Sequence, residues 1–172
     1  MCDPPVGHLM KVVFFDIDGV LNTNRTPNPR KLPYVVDKTL VRRFKRVLAR
    51  TNAKAVLTST WRYDPAGLFS ARRYGIPFIG CTPDMPHHPR RDEIRAWLKK
   101  HPRVTRYAVL DDDDDGLDRM PLFQPSAGTG LTQEIAKALG DYLLTKTDRD
   151  MRRNVVVRMA ENALDAMTGH RG

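Results

Sequence analysis

Two aspartates two residues apart follow a short apolar run near the start of the chain. Residues 12–15 are Val-Val-Phe-Phe, and Asp16, Ile17, Asp18 and Gly19 come directly after them. An apolar, β-rich run that ends in charged residues is typical of a buried strand delivering them to the rim of a sheet. In such a pair one carboxylate can attack an electrophile or bind a metal, while the other transfers protons. A strand followed by an ordinary Asx turn has the same local pattern, so the pair alone does not establish a site.

Two further apolar runs also end in polar side chains. Residues 53–57 lead into Thr58 and Ser59, and residues 104–110 lead into five consecutive aspartates at 111–115. In open α/β sheets, ligands bind beyond the carboxyl ends of the strands. Three strands that end in chemically capable residues therefore indicate a functional site rather than an isolated turn.

Helices are predicted between these strands. Apolar residues recur at helical spacing after Asp37, a suitable N-cap, and Thr132 is a suitable N-cap for a later helix. Short strands complete the pattern. The predicted helices are 38–50, 65–74, 92–101, 133–144 and 148–167, and the predicted short strands are 76–79 and 122–124.

Strands that alternate with helices predict an α/β fold with a mostly parallel sheet and helices on both faces. The length of 172 residues suits one domain with a proper core. We therefore expect an N-terminal extension at 1–10, a catalytic domain at 11–145 and a C-terminal helical extension at 146–172.

The net charge of +9 favours anionic partners such as nucleic acids or phosphorylated ligands. Basic residues gather at 38–54 and again at 90–106. The same clusters are also compatible with solvated helix faces, so charge alone does not choose between the two interpretations.

The apolar runs, the N-terminal residues and the cysteines of the sequence predict the cellular compartment of the protein. No apolar run approaches the length of a membrane span, and residues 1–10 do not resemble a secretory signal. There are two cysteines, Cys2 and Cys81, and a stabilising disulfide between them is not expected. These features predict a cytoplasmic protein without a membrane partner.

Four short motifs follow one another along the chain: Asp-Ile-Asp-Gly-Val-Leu at 16–21, a strand ending in Thr58-Ser59, Arg90 or Arg91 at a helix start, and a strand ending in Asp111-Asp112. With these motifs in this order, the chain resembles the haloacid dehalogenase-like (HAD) superfamily of phosphotransferases. It is most similar to the small HAD domains associated with bacterial RNA-repair proteins, on the segments 59–62, 93–98 and 129–132. The resemblance implies a Rossmann-like three-layer sandwich.

The resemblance also implies catalytic roles. Asp16 would be the nucleophile that forms an aspartyl-phosphate, and Asp18 would protonate the leaving oxygen and then deprotonate the attacking water. Thr58, or alternatively Ser59, would hydrogen-bond a phosphoryl oxygen. An acid two residues after the nucleophile resembles the phosphatases of the superfamily and not its dehalogenases.

Three arginines are candidates for binding the anionic substrate. The resemblance implies that Arg90 offsets the charge on the transferring group, with Arg91 as the alternative because the register of the helix is uncertain. Most relatives use lysine here, and arginine keeps the charge while adding bidentate geometry. Arg62 follows the second motif, where a substrate contact and a simple surface role both remain open.

The same resemblance implies a magnesium site built only from oxygen ligands. Asp16, the backbone carbonyl of Asp18, and Asp111 or Asp112 would hold the ion. The metal would screen the repulsion between an anionic nucleophile and an anionic phosphate. The remaining acidic residues, 113–115, are expected to form a solvated turn.

Spacing between the motifs predicts a minimal cap. About 40 residues separate Asp18 from Thr58 and about 30 separate Thr58 from Arg90, and predicted helices and strands occupy most of both gaps. We expect the site to be open unless the loop at 22–33, the C-terminal helix or a partner subunit covers it, and an open site suits bulky substrates. We therefore expect a magnesium-dependent phosphatase acting on a phosphomonoester such as a nucleotide or a nucleic-acid end. The alternative is a HAD-fold nucleic-acid-binding or interaction protein with little turnover, and the oligomeric state is not predicted.

Overall fold

The computed structural model describes residues 9–145 of the chain. These residues form one sheet of five parallel strands with helices on both faces. The helix predicted at 148–167 lies outside the described residues. The strands are β1 Met10–Phe15, β2 Lys54–Leu57, β3 Gly80–Cys81, β4 Val104–Leu110 and β5 Leu122–Phe123, and the helices are α1 Lys38–Thr51, α2 Pro65–Arg73, α3 Arg90–Lys100 and α4 Gln133–Leu144, with a 3₁₀ helix at Thr60–Tyr63.

The central strand β1 is apolar because both of its faces are covered. Val13 and Phe15 pack into a core shared with α1, α2 and α4, whereas Val12 and Phe14 pack into a second core shared with α3. All four side chains are fully buried. The predicted Rossmann-like three-layer α/β sandwich is therefore confirmed, and the sheet in residues 9–145 is wholly parallel.

The strand order places a crevice beside β1. The strand order in the sheet is β3-β2-β1-β4-β5. The strands β2 and β3 therefore lie on one side of β1, and β4 and β5 lie on the other. The carboxyl ends of β1 and β4 flank this crevice. Ligands of open α/β sheets bind at such a position.

The third strand departs from its prediction. The sequence predicted a strand at 76–79, but β3 is Gly80–Cys81. The Ile76 N–H closes the end of α2 by donating to the Ala71 carbonyl, and Pro77 has no N–H to offer a ladder. The sheet can therefore be joined only after the proline, where the Ile79 N–H donates to the Ala55 carbonyl.

The connections between motifs contain little beyond the core elements. Between Asp18 and Thr58 lie an irregular segment, α1 and β2, and between Thr58 and Arg90 lie the 3₁₀ helix, α2 and β3. Neither connection carries an inserted domain, in agreement with a minimal cap. None of the helices in residues 9–145 is both long and apolar enough to cross a membrane.

Candidate active site

Strand register aligns the polar residues that follow β1, β2 and β4. Phe15 pairs with Leu57 on one side and with Leu110 on the other. The ladder continues for one residue, because the Thr58 N–H donates to the Phe15 carbonyl at 2.9 Å and the Asp16 N–H to the Leu110 carbonyl at 3.0 Å. Thr58, Asp16 and Asp111 are therefore neighbours along the carboxyl edge of the sheet.

Three carboxylates at this edge converge on one point. Asp16, Asp111 and Asp112 each offer an oxygen, and these oxygens lie within 4.8 Å of one another. Gly19 allows Asp112 to come this close, because a Cβ at position 19 would lie 2.0 Å from the Asp112 Oδ2. A purely oxygen donor set of this charge fits Mg²⁺ rather than a soft metal.

Arg90 is the cation within this cluster. Its Nη1 donates to the Asp16 Oδ2 at 2.9 Å and also to the Asp111 Oδ2. The Arg90 side chain is 13% exposed, that of Asp16 is 11% exposed and that of Asp111 is fully buried. Arg90 reaches the cluster because α3 begins two residues before its predicted start, so this residue lies in the first turn of the helix.

The pKa values reflect crowded negative charge. Burial raises the pKa of Asp111 to about 6, although Arg90 opposes the rise. Burial also raises the pKa of Asp112, and the charge of Asp16 adds to the effect. Burial alone would lower the pKa of Arg90, but Asp16 and Asp111 raise it above its ordinary value. The site therefore favours added positive charge.

Asp18 lies in a different environment. Although exposed, it accepts hydrogen bonds on both carboxylate oxygens: from Asn22 Nδ2 to Oδ1 at 2.7 Å, and from Trp61 Nε1 to Oδ2 at 2.9 Å. Both donors are neutral. The proposed acid–base carboxylate is thus held by uncharged groups, two residues from a carboxylate that is held by an arginine.

The two predicted hydroxyls differ in their surroundings. The Thr58 hydroxyl is buried and has no hydrogen-bond partner among residues 9–145, so it is available to a ligand oxygen. The Ser59 hydroxyl instead accepts from the Trp61 N–H at 3.4 Å and caps the 3₁₀ helix. Of the pair, Thr58 is the one that fits the predicted phosphoryl contact.

The other two arginines do not join the carboxylate cluster. Arg62 is 5% exposed and pairs with Glu93 at 2.5 Å, while its Nη1 donates to the Ser59 carbonyl at 3.0 Å. Arg91 donates to Asp92 at 3.4 Å and to the Gly116 carbonyl at 3.5 Å. The predicted substrate contacts of these two arginines stay predictions, and the structure gives both of them partners within the protein.

Sequence reasoning missed three residues that support the site. The sequence motifs assign no role to Trp61 or Asn22, and Glu93 is placed only within the helix predicted at 92–101. A usable signal existed for Trp61, because a buried indole N–H needs an acceptor. Glu93 carried no signal beyond its place in the segment 93–98, and Asn22, which follows the motif at 16–21, carried none.

The fold and the site together define a HAD-type domain: a parallel Rossmann-like sheet with an aspartate pair directly after the central strand and a second acidic pair directly after its neighbour. The family described as "HAD domain in Swiss Army Knife RNA repair proteins" matches residues 12–136, which is most of the chain. The chain belongs to this family, and membership places it among the HAD-type hydrolases. Among curated proteins and solved structures, no match was found.

Proposed function

We propose that the protein is a magnesium-dependent phosphatase that hydrolyses a phosphomonoester through an aspartyl-phosphate on Asp16. The observation that carries this proposal is the convergence of Asp16, Asp111 and Asp112 at the carboxyl edge of the sheet, where the Arg90 guanidinium pairs with the first two of them. Family membership supports hydrolase chemistry in general. The proposal adds the metal, the type of ester and the covalent intermediate.

The reaction divides into two displacements. In the first, a carboxylate oxygen of Asp16 forms a bond to phosphorus while the bond to the leaving oxygen breaks, and Asp18 gives that oxygen its proton. In the second, Asp18 takes a proton from water, and the water oxygen displaces Asp16 to release phosphate. Thr58 would hydrogen-bond a phosphoryl oxygen with its otherwise unpartnered hydroxyl.

Asp16, Asp111 or Asp112, and the backbone carbonyl of Asp18 would hold the magnesium ion. When bound, the ion supplies charge that screens the carboxylate nucleophile from the phosphate anion. Arg90 supplies a second positive charge, and its fork can bind two phosphoryl oxygens at once.

Phosphate release from 4-nitrophenyl phosphate, with and without magnesium, tests this proposal. We expect Asp16→Asn to lower kcat on the order of 10⁴-fold or more, because the nucleophile is removed. Asp114→Asn is the matched control, since this exposed aspartate makes no side-chain hydrogen bond or ion pair within residues 9–145. Turnover without magnesium, or an active Asp16→Asn variant, would refute the mechanism. If the wild type showed no turnover, and the wild type and Asp16→Asn bound oligonucleotides equally well, the nucleic-acid-binding alternative would be favoured instead.

A basic groove supports a large anionic substrate such as a nucleic-acid end. The groove has a volume of about 480 Å³, and its cationic lining consists of Lys38, Arg42, Lys45 and Arg73. None of these cations forms an ion pair with a carboxylate of residues 9–145. Its α1 side begins just after Asp37, whose N–H donates to the Leu21 carbonyl at 2.8 Å. The helix that lines the groove therefore starts beside the turn that carries Asp18.

Oligonucleotide binding tests this part of the proposal. We expect the double variant Arg42→Gln with Lys45→Gln to weaken binding of a 5′-phosphorylated single-stranded RNA and to flatten the dependence of log affinity on log salt by about 1.4. The matched control is Lys99→Gln with Lys100→Gln, which removes the same charge at the end of α3. Equal weakening by both double variants would show a response to net charge and reject the groove.

The location of the protein is also proposed and not observed. We infer a cytoplasmic, reducing compartment, supported by Cys81, which is a free thiol among the described residues.

A further inference from the structure

Asp18 is held by two neutral donors, and these donors are themselves fixed by the fold. We propose that Asn22 and Trp61 form a clamp that orients the Asp18 carboxylate for proton transfer, which makes them positioning residues. This inference rests on the proposed phosphatase function. The clamp comprises the 2.7 Å bond from Asn22 Nδ2 to Oδ1 and the 2.9 Å bond from Trp61 Nε1 to Oδ2.

The amide of Asn22 has only one orientation that satisfies its neighbours. Its Nδ2 donates to the Val35 carbonyl at 3.0 Å as well as to Asp18, and its Oδ1 accepts from the Gly19 N–H at 3.0 Å. A flipped amide would set its oxygen against two acceptors and its NH₂ against a donor. Asn22 therefore ties Asp18 to the turn that follows β1.

Trp61 is held by packing around both its ring and its backbone. The residue is 3% exposed, and the Tyr34 ring packs edge-on against the indole with centroids 4.8 Å apart. The Tyr34 hydroxyl is in turn anchored to Asp64 at the start of α2. Gly67 lets α2 approach, because a Cβ there would lie 2.5 Å from the Trp61 carbonyl oxygen. The indole N–H thus points at Asp18 from a rigid support.

Neutral donors suit a carboxylate that must exchange a proton. An indole N–H cannot accept a proton and brings no net charge, so Trp61 orients Asp18 without forming an ion pair. Misplacing an acid–base group by about 1 Å can cost about 10²-fold in rate, which makes orientation worth building into the fold.

The dependence of rate on the leaving group separates positioning from a merely structural role. A poorly positioned general acid slows esters with basic leaving groups most, because 4-nitrophenolate departs with little need of a proton. We expect Trp61→Phe to lower kcat/KM for phenyl phosphate about 10-fold more than for 4-nitrophenyl phosphate. The ratio of the two values is unaffected by the fraction of correctly folded enzyme, so partial unfolding cannot imitate the result.

Trp97→Phe is the matched control, since it makes the same indole-to-phenyl change in α3, on the opposite face of the sheet. This variant should keep the wild-type ratio. Equal losses on both esters in Trp61→Phe, or no loss on either, would overturn the positioning role.

A second measurement does not depend on turnover. The chain has two tryptophans, so its ¹H–¹⁵N spectrum contains two indole signals, which the two Phe variants assign. Asp18→Ala should shift the Trp61 indole signal and leave that of Trp97 in place. An unmoved Trp61 signal would overturn the clamp itself. A wild type without activity on either ester, together with a shifted signal, would reject the proposed function and with it the positioning role, while leaving the clamp contacts standing.

Discussion

Asp16 and Asp18 are two residues apart, yet the structure surrounds them with opposite kinds of partners. Asp16 shares the Arg90 guanidinium with the buried Asp111 and lies within reach of Asp112. Asp18 is exposed, and its carboxylate accepts hydrogen bonds within residues 9–145 only from the neutral donors described above. The negative charge of Asp16 is compensated by an arginine, whereas Asp18 is oriented by neutral donors.

This difference matches the two tasks that the proposed chemistry requires. A nucleophile that attacks a phosphate must remain ionised and must be screened from its target, which calls for nearby cations. A group that gives and takes a proton must be aimed at the atom that it serves, which calls for donors held in fixed positions. The fold separates the tasks by strand geometry, because Asp16 continues the β-ladder and Asp18 lies in the turn beyond it.

Two partly buried arginines, Arg62 and Arg90, extend the same comparison. Arg62 and Arg90 both pair with carboxylates, but Glu93, the partner of Arg62, belongs to α3 and not to the strand ends. The Arg62–Glu93 pair therefore connects the 3₁₀ helix to α3, where it supports the elements that carry Trp61 and Arg90. Only Arg90 contributes its charge to the carboxylate cluster.

Among changes to the charged surroundings of Asp16, we expect Arg90→Ala to have the largest effect. It leaves Asp16 and Asp111 facing each other without their cation, and we expect a loss of about 3 kcal/mol in the free energy of unfolding without metal. Magnesium should then raise the melting temperature of the variant more than that of the wild type, because the ion replaces the missing charge. Thermal melts over a magnesium titration measure both quantities, and kcat should fall on the order of 10²-fold.

The neighbouring Arg91→Ala is the matched control, since Arg91 contacts Asp92 and the Gly116 carbonyl instead of the cluster. It should show the wild-type response to magnesium. Arg90→Lys should recover part of the stability, because it restores the charge without the fork. If Arg90→Ala and the wild type gained equally from magnesium, metal binding and Arg90 would not share the same carboxylates.

Most of the fold could be predicted because its signals are local. Asp37 and Thr132 cap α1 and α4 as predicted, each accepting from backbone N–H groups two or three residues ahead. The apolar run of β4 was predicted with its observed bounds. The third strand could not be placed, because its position depends on how α2 ends before Pro77, and apolar character alone does not encode that.

The candidate site shows the same difference between features set by local signals and features set by packing. Asp16, Thr58 and Asp111 could be predicted to meet because parallel strands align their carboxyl ends. The choice between Arg90 and Arg91 could not be made, because each residue turns a helix by about 100° and the start of α3 was misplaced by two residues. The bond between Asp18 and Trp61 joins residues 43 apart in the chain, and only the packing of the 3₁₀ helix brings them together.

The smallest expected effect concerns the contact that holds Arg90 beside Asp16. The start of α3 has no side-chain cap of its own, and the Arg90 backbone N–H donates instead to the Asp115 Oδ2 at 3.1 Å. In the predicted solvated acidic turn, Asp115 thus has a defined contact with α3, and the Asp113 Oδ1 accepts from the Asp115 N–H at 3.3 Å. We expect Asp115→Ala to cost about 1 kcal/mol of stability and to lower kcat a few-fold by loosening Arg90. Thermal melts and steady-state kinetics measure the two effects.

Asp115→Asn distinguishes the hydrogen bond from the charge, because its amide oxygen still accepts from the helix while the negative charge is gone. If the bond positions Arg90, Asn should behave like the wild type and Ala should not. If Asn were as damaging as Ala, the contribution of Asp115 would be its charge at the positive end of the helix. The acidic turn would then belong to the electrostatics of the site, and not to the framework that aims Arg90 at Asp16.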